Sequence, residues 1–185
     1  KVLLSEYVLE LNGKLRSYFA PLGATPGTSS DSPPAQALTM TPGSASRLRV
    51  VGSSRYLTSV GEWAANATAN TGLFHLEIAA DLDATVVVSA PIKAGDWTLV
   101  SGILDVNDFR IPVDRGTSVA GNVTIAAGAT LVSSATGTGG NAVVSRTTSA
   151  SGGTLTVNGR LVLKGNNPYI AMTTVNLAGT VEYAG

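Results

Sequence analysis

Leu155-Thr156-Val157-Asn158-Gly159-Arg160-Leu161-Val162-Leu163 sets an apolar-x-apolar pair on either side of a small turn containing glycine. Alternate residues of a strand face opposite sides, so Leu155 and Val157 share one face, as do Leu161 and Leu163. The phrase recurs upstream as Val123-Thr124-Ile125-Ala126-Ala127-Gly128-Ala129-Thr130-Leu131-Val132 and as Trp97-Thr98-Leu99-Val100-Ser101-Gly102-Ile103-Leu104-Asp105-Val106. It closes the chain as Val175-Asn176-Leu177-Ala178-Gly179-Thr180-Val181-Glu182-Tyr183. The turn glycines stand at 102, 128, 159 and 179, separated by 26, 31 and 20 residues. Spacings that stay within the range of one coil without repeating suit a solenoid with loops of variable length. Each phrase then gives two short strands with inward Val, Leu and Ile, and glycine turns the corner without a Cβ clash. One coil cannot bury its own apolar face, so coils must stack. Hairpins of a β-sandwich account for the same alternation. The expected fold class is therefore all-β, built as β-solenoid-like stacked coils or as a β-sandwich.

From Gly95 to Gly185 these phrases, with Gly153-Thr154-Leu155-Thr156-Val157-Asn158-Gly159 and Gly179-Thr180-Val181-Glu182-Tyr183 among them, resemble the repeat-rich β-helical passenger regions of large secreted bacterial adhesins and surface proteins. The resemblance covers about half of the chain and rests on degenerate phrases. It implies secretion to the cell surface and a structural or adhesive role, and it supplies no catalytic residues to map onto this sequence.

Outward from that half, residues 46–94 read as a further β-rich region. Arg47–Val51 and Arg55–Val60 are expected strands, with a brief helical turn over Glu62–Asn70. Leu73–Ile78 alternates as a half-buried strand, whereas the β-branched run Thr85–Val88 predicts burial on both faces. Residues 23–45 are rich in Pro, Gly, Ser and Thr and read as a linker or surface loop. In residues 1–22, Leu4, Val8, Leu11, Leu15, Tyr18 and Leu22 follow a heptad seam that allows a short helix. Asn12-Gly13, flanked by Val8–Leu11 and Lys14–Arg16, signals a two-residue hairpin turn instead, and the hairpin is the preferred expectation.

The 185 residues carry 12 Lys and Arg against 12 Asp and Glu, 21 glycines and no cysteine. A chain of this size buries enough surface to fold without a staple. With no net charge it makes no long-range positive field, so neither nucleic acid nor an anionic membrane surface is an expected partner. No apolar run reaches the roughly 20 residues of a spanning helix. Without Cys there is no disulfide framework, thiolate nucleophile or Cys-based metal site. Because the sequence starts at Lys1 and ends inside a strand-like phrase, it is expected to be a processed chain or a piece of a longer one.

Catalytic constellations are sparse. His75 is the single histidine, it lies in an alternating apolar strand, and no Gly-x-Ser-x-Gly elbow accompanies it. Thr136-Gly137-Thr138-Gly139-Gly140 lacks the lysine of a phosphate loop and reads as a loop. Asp81, Asp83, Asp105, Asn107 and Asp108 place hard oxygen ligands at near-alternate positions, which makes them calcium candidates. The same residue types serve equally as turn aspartates bonded to their own backbone. Paired carboxylates on a β-surface could also hydrolyse glycosides at a suitable separation. Thr-x-Thr at 39/41, 136/138 and 154/156 raises a water-ordering face, but the spacing is irregular. Asn66-Ala67-Thr68 and Asn122-Val123-Thr124 are glycosylation triplets of the kind a Thr-rich chain gives by chance. Trp63, Trp97, Tyr56 and Tyr169 could stack on sugars or serve as core and strand-corner residues.

Assembly remains. Stacked coils expose a sheet edge at each end, and an uncapped edge pairs with another chain. The candidate assembly residues are Val2, Leu4, Val8 and Leu11 at one end and Val181 and Tyr183 at the other. The expectation is a non-enzymatic, extracellular structural protein that associates with copies of itself into a filament, sheath or adhesive stalk. It would need no cofactor beyond the calcium candidate, and surface glycans are a further candidate partner. The rival expectations are a bacteriophage head or tail fibre, favoured by a heptad helix over 4–22, and a carbohydrate-binding β-helix.

Overall fold

A computed structural model describes residues 2–4, 8–12, 40–42, 47–53, 55–57, 73–88, 94–109, 111–112, 121–135, 144–145 and 152–185. The described residues form seventeen β-strands and no helix. They run β1 Val2–Leu4, β2 Val8–Asn12, β3 Met40–Pro42, β4 Arg47–Gly52, β5 Arg55–Leu57, β6 Leu73–Ala80, β7 Thr85–Val88 and β8 Ala94–Asp105. There follow β9 Ile111–Pro112, β10 Val123–Ile125, β11 Ala129–Ser133, β12 Val144–Ser145, β13 Thr154–Val157, β14 Arg160–Leu163, β15 Ile170–Ala171, β16 Thr174–Leu177 and β17 Thr180–Tyr183. The chain is all-β.

Every strand pair among them is parallel. The two arms of each strand-Gly-strand phrase lie in different ladders, and each arm pairs with the same arm of the neighbouring phrase. One ladder runs β2-β4-β6-β8-β10-β13-β16 and a second runs β5-β7-β8-β11-β14-β17, with β8 serving both. Short strands make a third, β9-β12-β15, and β1 pairs with β3.

Register turns this pairing into columns. Leu11, Val50, Ile78, Leu99, Ile125, Val157 and Leu177 occupy one position on successive strands. Leu9, Leu48, Leu76, Trp97, Val123, Leu155 and Val175 occupy another, two residues earlier. In the second ladder Val86, Leu104, Leu131, Leu161 and Val181 align. Apart from Leu9, Leu11 and Leu48, whose side chains are not described, the interior members of these columns are buried and form one apolar core. Burying a Val, Leu or Ile side chain contributes about 1.5–3 kcal/mol, so the columns carry most of the stabilisation. The residues between them, such as Thr124 and Thr156, are part-exposed.

Corners are where glycine matters. The register skips Val100 between Leu99 and Ser101, a bulge that leaves Val100 exposed. Gly102 then takes φ +79°, and a Cβ there would stand 2.8 Å from Ala80 Cβ and 2.9 Å from the Asp81 carbonyl. β8 thus bends from one ladder to the next without breaking. At the later corners the backbones stack directly: Asn158 N–H donates to Ile125 O at 2.8 Å and Ala178 N–H to Val157 O at 2.9 Å.

Several expectations change in detail. Thr85–Val88 is not buried on both faces: Val86 and Val88 are buried, and Thr85 and Val87 are part-exposed. Val2–Leu4 and Val8–Asn12 are strands, not the heptad helix, because each finds a parallel partner, in β3 and β4 respectively. The Asn12-Gly13 turn and its second arm, Lys14–Arg16, lie outside the described residues, as do Glu62–Asn70 and the Thr136–Gly140 loop. Met40–Pro42, inside the expected linker, is a strand. Residues 94 and 95 both lie in β8, which pairs with β6 in the first ladder and with β7 in the second.

Candidate functional site

At the β16–β17 end the columns stop being buried. Val157 is 0% exposed, but Leu177, its in-register neighbour, is 56% exposed. Leu155 gives way in the same manner to Val175, which is 40% exposed, and Leu163 to Tyr183, which is 72% exposed. Val181 stays half-buried against the core. These side chains occupy core positions by register yet have nothing stacked on them among the described residues. Among the described residues β16 pairs with β13 alone and β17 with β14 alone.

Of the expected assembly residues, Val181 and Tyr183 lie together on β17. Val2 and Leu4 lie on β1, opposite Met40 and Pro42, and Val8 and Leu11 lie on β2, opposite Arg47 and Val50. Val8 and Leu11 thus lie on the first described strand of the first ladder and Val181 and Tyr183 on the last described strand of the second, while Val2 and Leu4 belong to the separate β1–β3 pair. Val175 and Leu177, exposed in core register on β16, were not among the residues expected there. Their signal was present in the sequence, since Val175-x-Leu177 is the first arm of the last phrase.

On the outer face of the first ladder lies a charged cluster that local sequence does not disclose. Glu77 is buried between two arginines, with Arg47 Nη1 at 2.7 Å from Oε2 and Arg49 Nε at 2.8 Å from Oε1. His75 Nδ1 lies 3.0 Å from Oδ2 of the buried Asp96, whose Oδ1 accepts the Asn122 N–H at 2.7 Å. Asn122 Oδ1 in turn accepts the Thr154 N–H at 3.0 Å. Asp96 and Asn122 thus each cap a backbone N–H where the chain begins its next strand, which ties register to side chains. Asp96→Ala is expected to cost about 1–3 kcal/mol, because the Asn122 N–H loses its acceptor; urea unfolding of the variant checks this. The same face aligns Thr98, Thr124 and Thr156 in one column, an order that the irregular Thr-x-Thr spacing conceals.

The calcium candidates fall into two turns. Asp81 and Asp83 are exposed in the turn before β7, where the Ala84 N–H donates to Asp81 O at 2.9 Å. Asp105, Asn107 and Asp108 lie at the opposite end of the paired strands β7 and β8 from them. There Asp105 Oδ1 accepts the Asn107 N–H at 2.9 Å, and Asn107 Nδ2 donates to Val88 O at 2.7 Å. The two acidic groups are thus separated by the length of β7. Among the described residues no three His, Asp or Glu side chains are grouped to hold a metal ion.

Trp97 is 2% exposed and belongs to a core column, so stacking on a sugar is not its role. Tyr169 is exposed; Trp63 and the Tyr56 ring lie outside the described residues. No helix of the described residues is long and apolar enough to cross a membrane. Comparison with protein-family models, with curated proteins and with solved structures found no match.

Proposed function

We propose that the chain is a β-solenoid and that it serves as a non-enzymatic, extracellular structural protein, assembling through strand edges into a filament, sheath or adhesive stalk. What supports the solenoid reading is the parallel register of the ladders, in which each phrase repeats the path of the one before it. The observation that carries the assembly reading is the exposed terminal rung: Val175, Leu177 and Tyr183 hold core register and lack a covering layer among the described residues. A water-facing row of this kind favours association, since its apolar area is removed from water when another rung stacks on it. The polar side chains between the columns are engaged in holding strands, as Asp96 and Asn122 are, which suits a scaffold.

Sedimentation velocity over a hundredfold range of concentration tests the reading. The average mass should rise with concentration. Leu177→Lys together with Tyr183→Lys should return the chain to monomer while leaving its far-ultraviolet circular dichroism unchanged, because both positions lie at the open end. A monomer at every concentration would exclude self-assembly.

A further inference from the structure

Of the turn glycines Gly102, Gly128, Gly159 and Gly179, Gly159 alone follows an asparagine. We infer that Asn158-Gly159 is a latent self-modification site: the stacked corners hold its backbone closed to deamidation, and opening of the β16–β17 rung releases it. Asparagine before glycine deamidates more readily than before other residues, because no Cβ on the following residue hinders attack by its nitrogen. The Gly159 nitrogen attacks Asn158 Cγ and a C–N bond forms. The bond from Cγ to the side-chain nitrogen breaks, and that nitrogen leaves as ammonia with the Gly159 proton. Water then opens the five-membered imide at one of its two carbonyls, giving aspartate or isoaspartate at position 158.

The fold leaves one reacting group open and closes the other. Asn158 is exposed, whereas Gly159 is buried. The Gly159 N–H donates to Ile125 O at 3.1 Å, beside the Asn158 N–H, which donates to the same oxygen at 2.8 Å. From the following rung the Thr180 N–H donates to Gly159 O at 2.8 Å. Gly179 rests on the same peptide: a Cβ added to it would overlap Gly159 O and stand 2.7 Å from the carbonyl carbon and oxygen of Asn158. The Asn158–Gly159 peptide is therefore clamped between two neighbouring corners. An imide nitrogen carries no hydrogen, so ring closure forfeits the bond to Ile125 O, and the ring includes the Asn158 carbonyl carbon on which Gly179 rests. The corner has to open first, and the free energy of that local opening sets the rate.

The two products differ in what they do to the rung. Aspartate restores the original main chain and adds one charge at an exposed position. Isoaspartate carries the main chain through Cβ and lengthens it by one carbon atom before the Gly159 nitrogen. Gly159 has no room even for a methyl group, since a Cβ there would overlap the carbonyl oxygens of Ala126 and Ala129. Backbone crowding of this kind is not relieved by a rotamer change. A rung that opens and reacts along this branch does not close again, so a fraction of openings becomes permanent.

Trypsin releases residues 147–160 as a peptide whose single asparagine is Asn158. Conversion is therefore read by mass, and chromatography of the peptide separates aspartate from isoaspartate. The full chain is incubated at mildly alkaline pH in buffer and in a series of urea concentrations. Conversion in buffer should be slower than in fully denaturing urea by about tenfold or more, as a reaction gated by opening requires; equal rates overturn the inference. The rate should climb with urea before the circular dichroism changes, and a rate that stays flat until the whole chain unfolds overturns release by the β16–β17 rung. Gly179→Ala crowds the clamp and should speed conversion in buffer severalfold relative to Gly128→Ala, whose added Cβ meets nothing nearer than 3.7 Å. The same slow rate in both folded variants overturns the clamp. Chains aged in urea are finally returned to buffer and the native fraction is isolated by size exclusion. It should hold aspartate and be depleted of isoaspartate at 158; isoaspartate at the proportion of the unfractionated sample overturns the permanent branch.

Discussion

Val157→Asp is expected to abolish folding, while Arg160→Asp, three residues on, leaves a cooperative thermal transition. Val157 is fully buried between Ile125 and Leu177 in its column. A carboxylate placed there has no partner to replace water, and the cost of several kcal/mol is comparable with the whole stability of a domain of this size, about 5–15 kcal/mol. Arg160 is half-exposed and pairs with Glu182. Losing an exposed ion pair of that kind costs about 1 kcal/mol or less. Circular dichroism and thermal unfolding read both variants. Equal losses would mean that Val157 and Arg160 do not face opposite sides, and the columns would have to be redrawn.

The second large effect should come from a single methyl group. Gly159→Ala introduces a Cβ 2.1 Å from the Ala126 carbonyl oxygen and 2.3 Å from that of Ala129. Both are backbone atoms of the rung beneath, so no rotamer change relieves the overlap and the corner has to open. Overpacking of this kind costs about 1–3 kcal/mol and occasionally more. With Gly179 stacked on Gly159 in the same fashion, the displacement should pass to the last rung. Gly128→Ala is the control. It lies at the corresponding corner of the previous phrase, but its nearest neighbour would be 3.7 Å away. Denaturant midpoints should separate the two variants clearly, and a Gly159→Ala protein as stable as Gly128→Ala would deny the close stacking of corners.

The alternation of Leu155-x-Val157 and Leu161-x-Leu163 was sufficient to read strands, their inward faces and the glycine corners, because those features are local and a strand has a period of two. Parallel pairing was less accessible. Partners such as Val123 and Leu155 are separated by a return of variable length, and nothing in either phrase states which other phrase it will meet. For that reason the Arg47, Arg49 and Glu77 cluster was invisible beforehand: its members are ordinary outward residues until register sets β4 against β6. The Thr98, Thr124 and Thr156 column was hidden in the same way. Thr85–Val88 misled for a different reason, since a β-branched run is equally at home on a strand with one face turned outward. At the open end, Tyr183 could be named from its place in the final phrase. The exposure of Leu177 required knowing that no strand follows it in the ladder among the described residues.

The returns between stacked positions differ widely in length. From Leu9 to Leu48 the chain spends 39 residues, yet from Leu155 to Val175 only 20, while the rungs themselves keep one register. Length between rungs is thus almost a free variable for this architecture. Doubling a flexible connection adds only about 0.6 kcal/mol of closure entropy, so a foreign peptide grafted into a return would ride on the side of the stack without disturbing its columns. A scaffold of this kind separates the surface it displays from the core that holds it, and either can diversify while the other stays fixed.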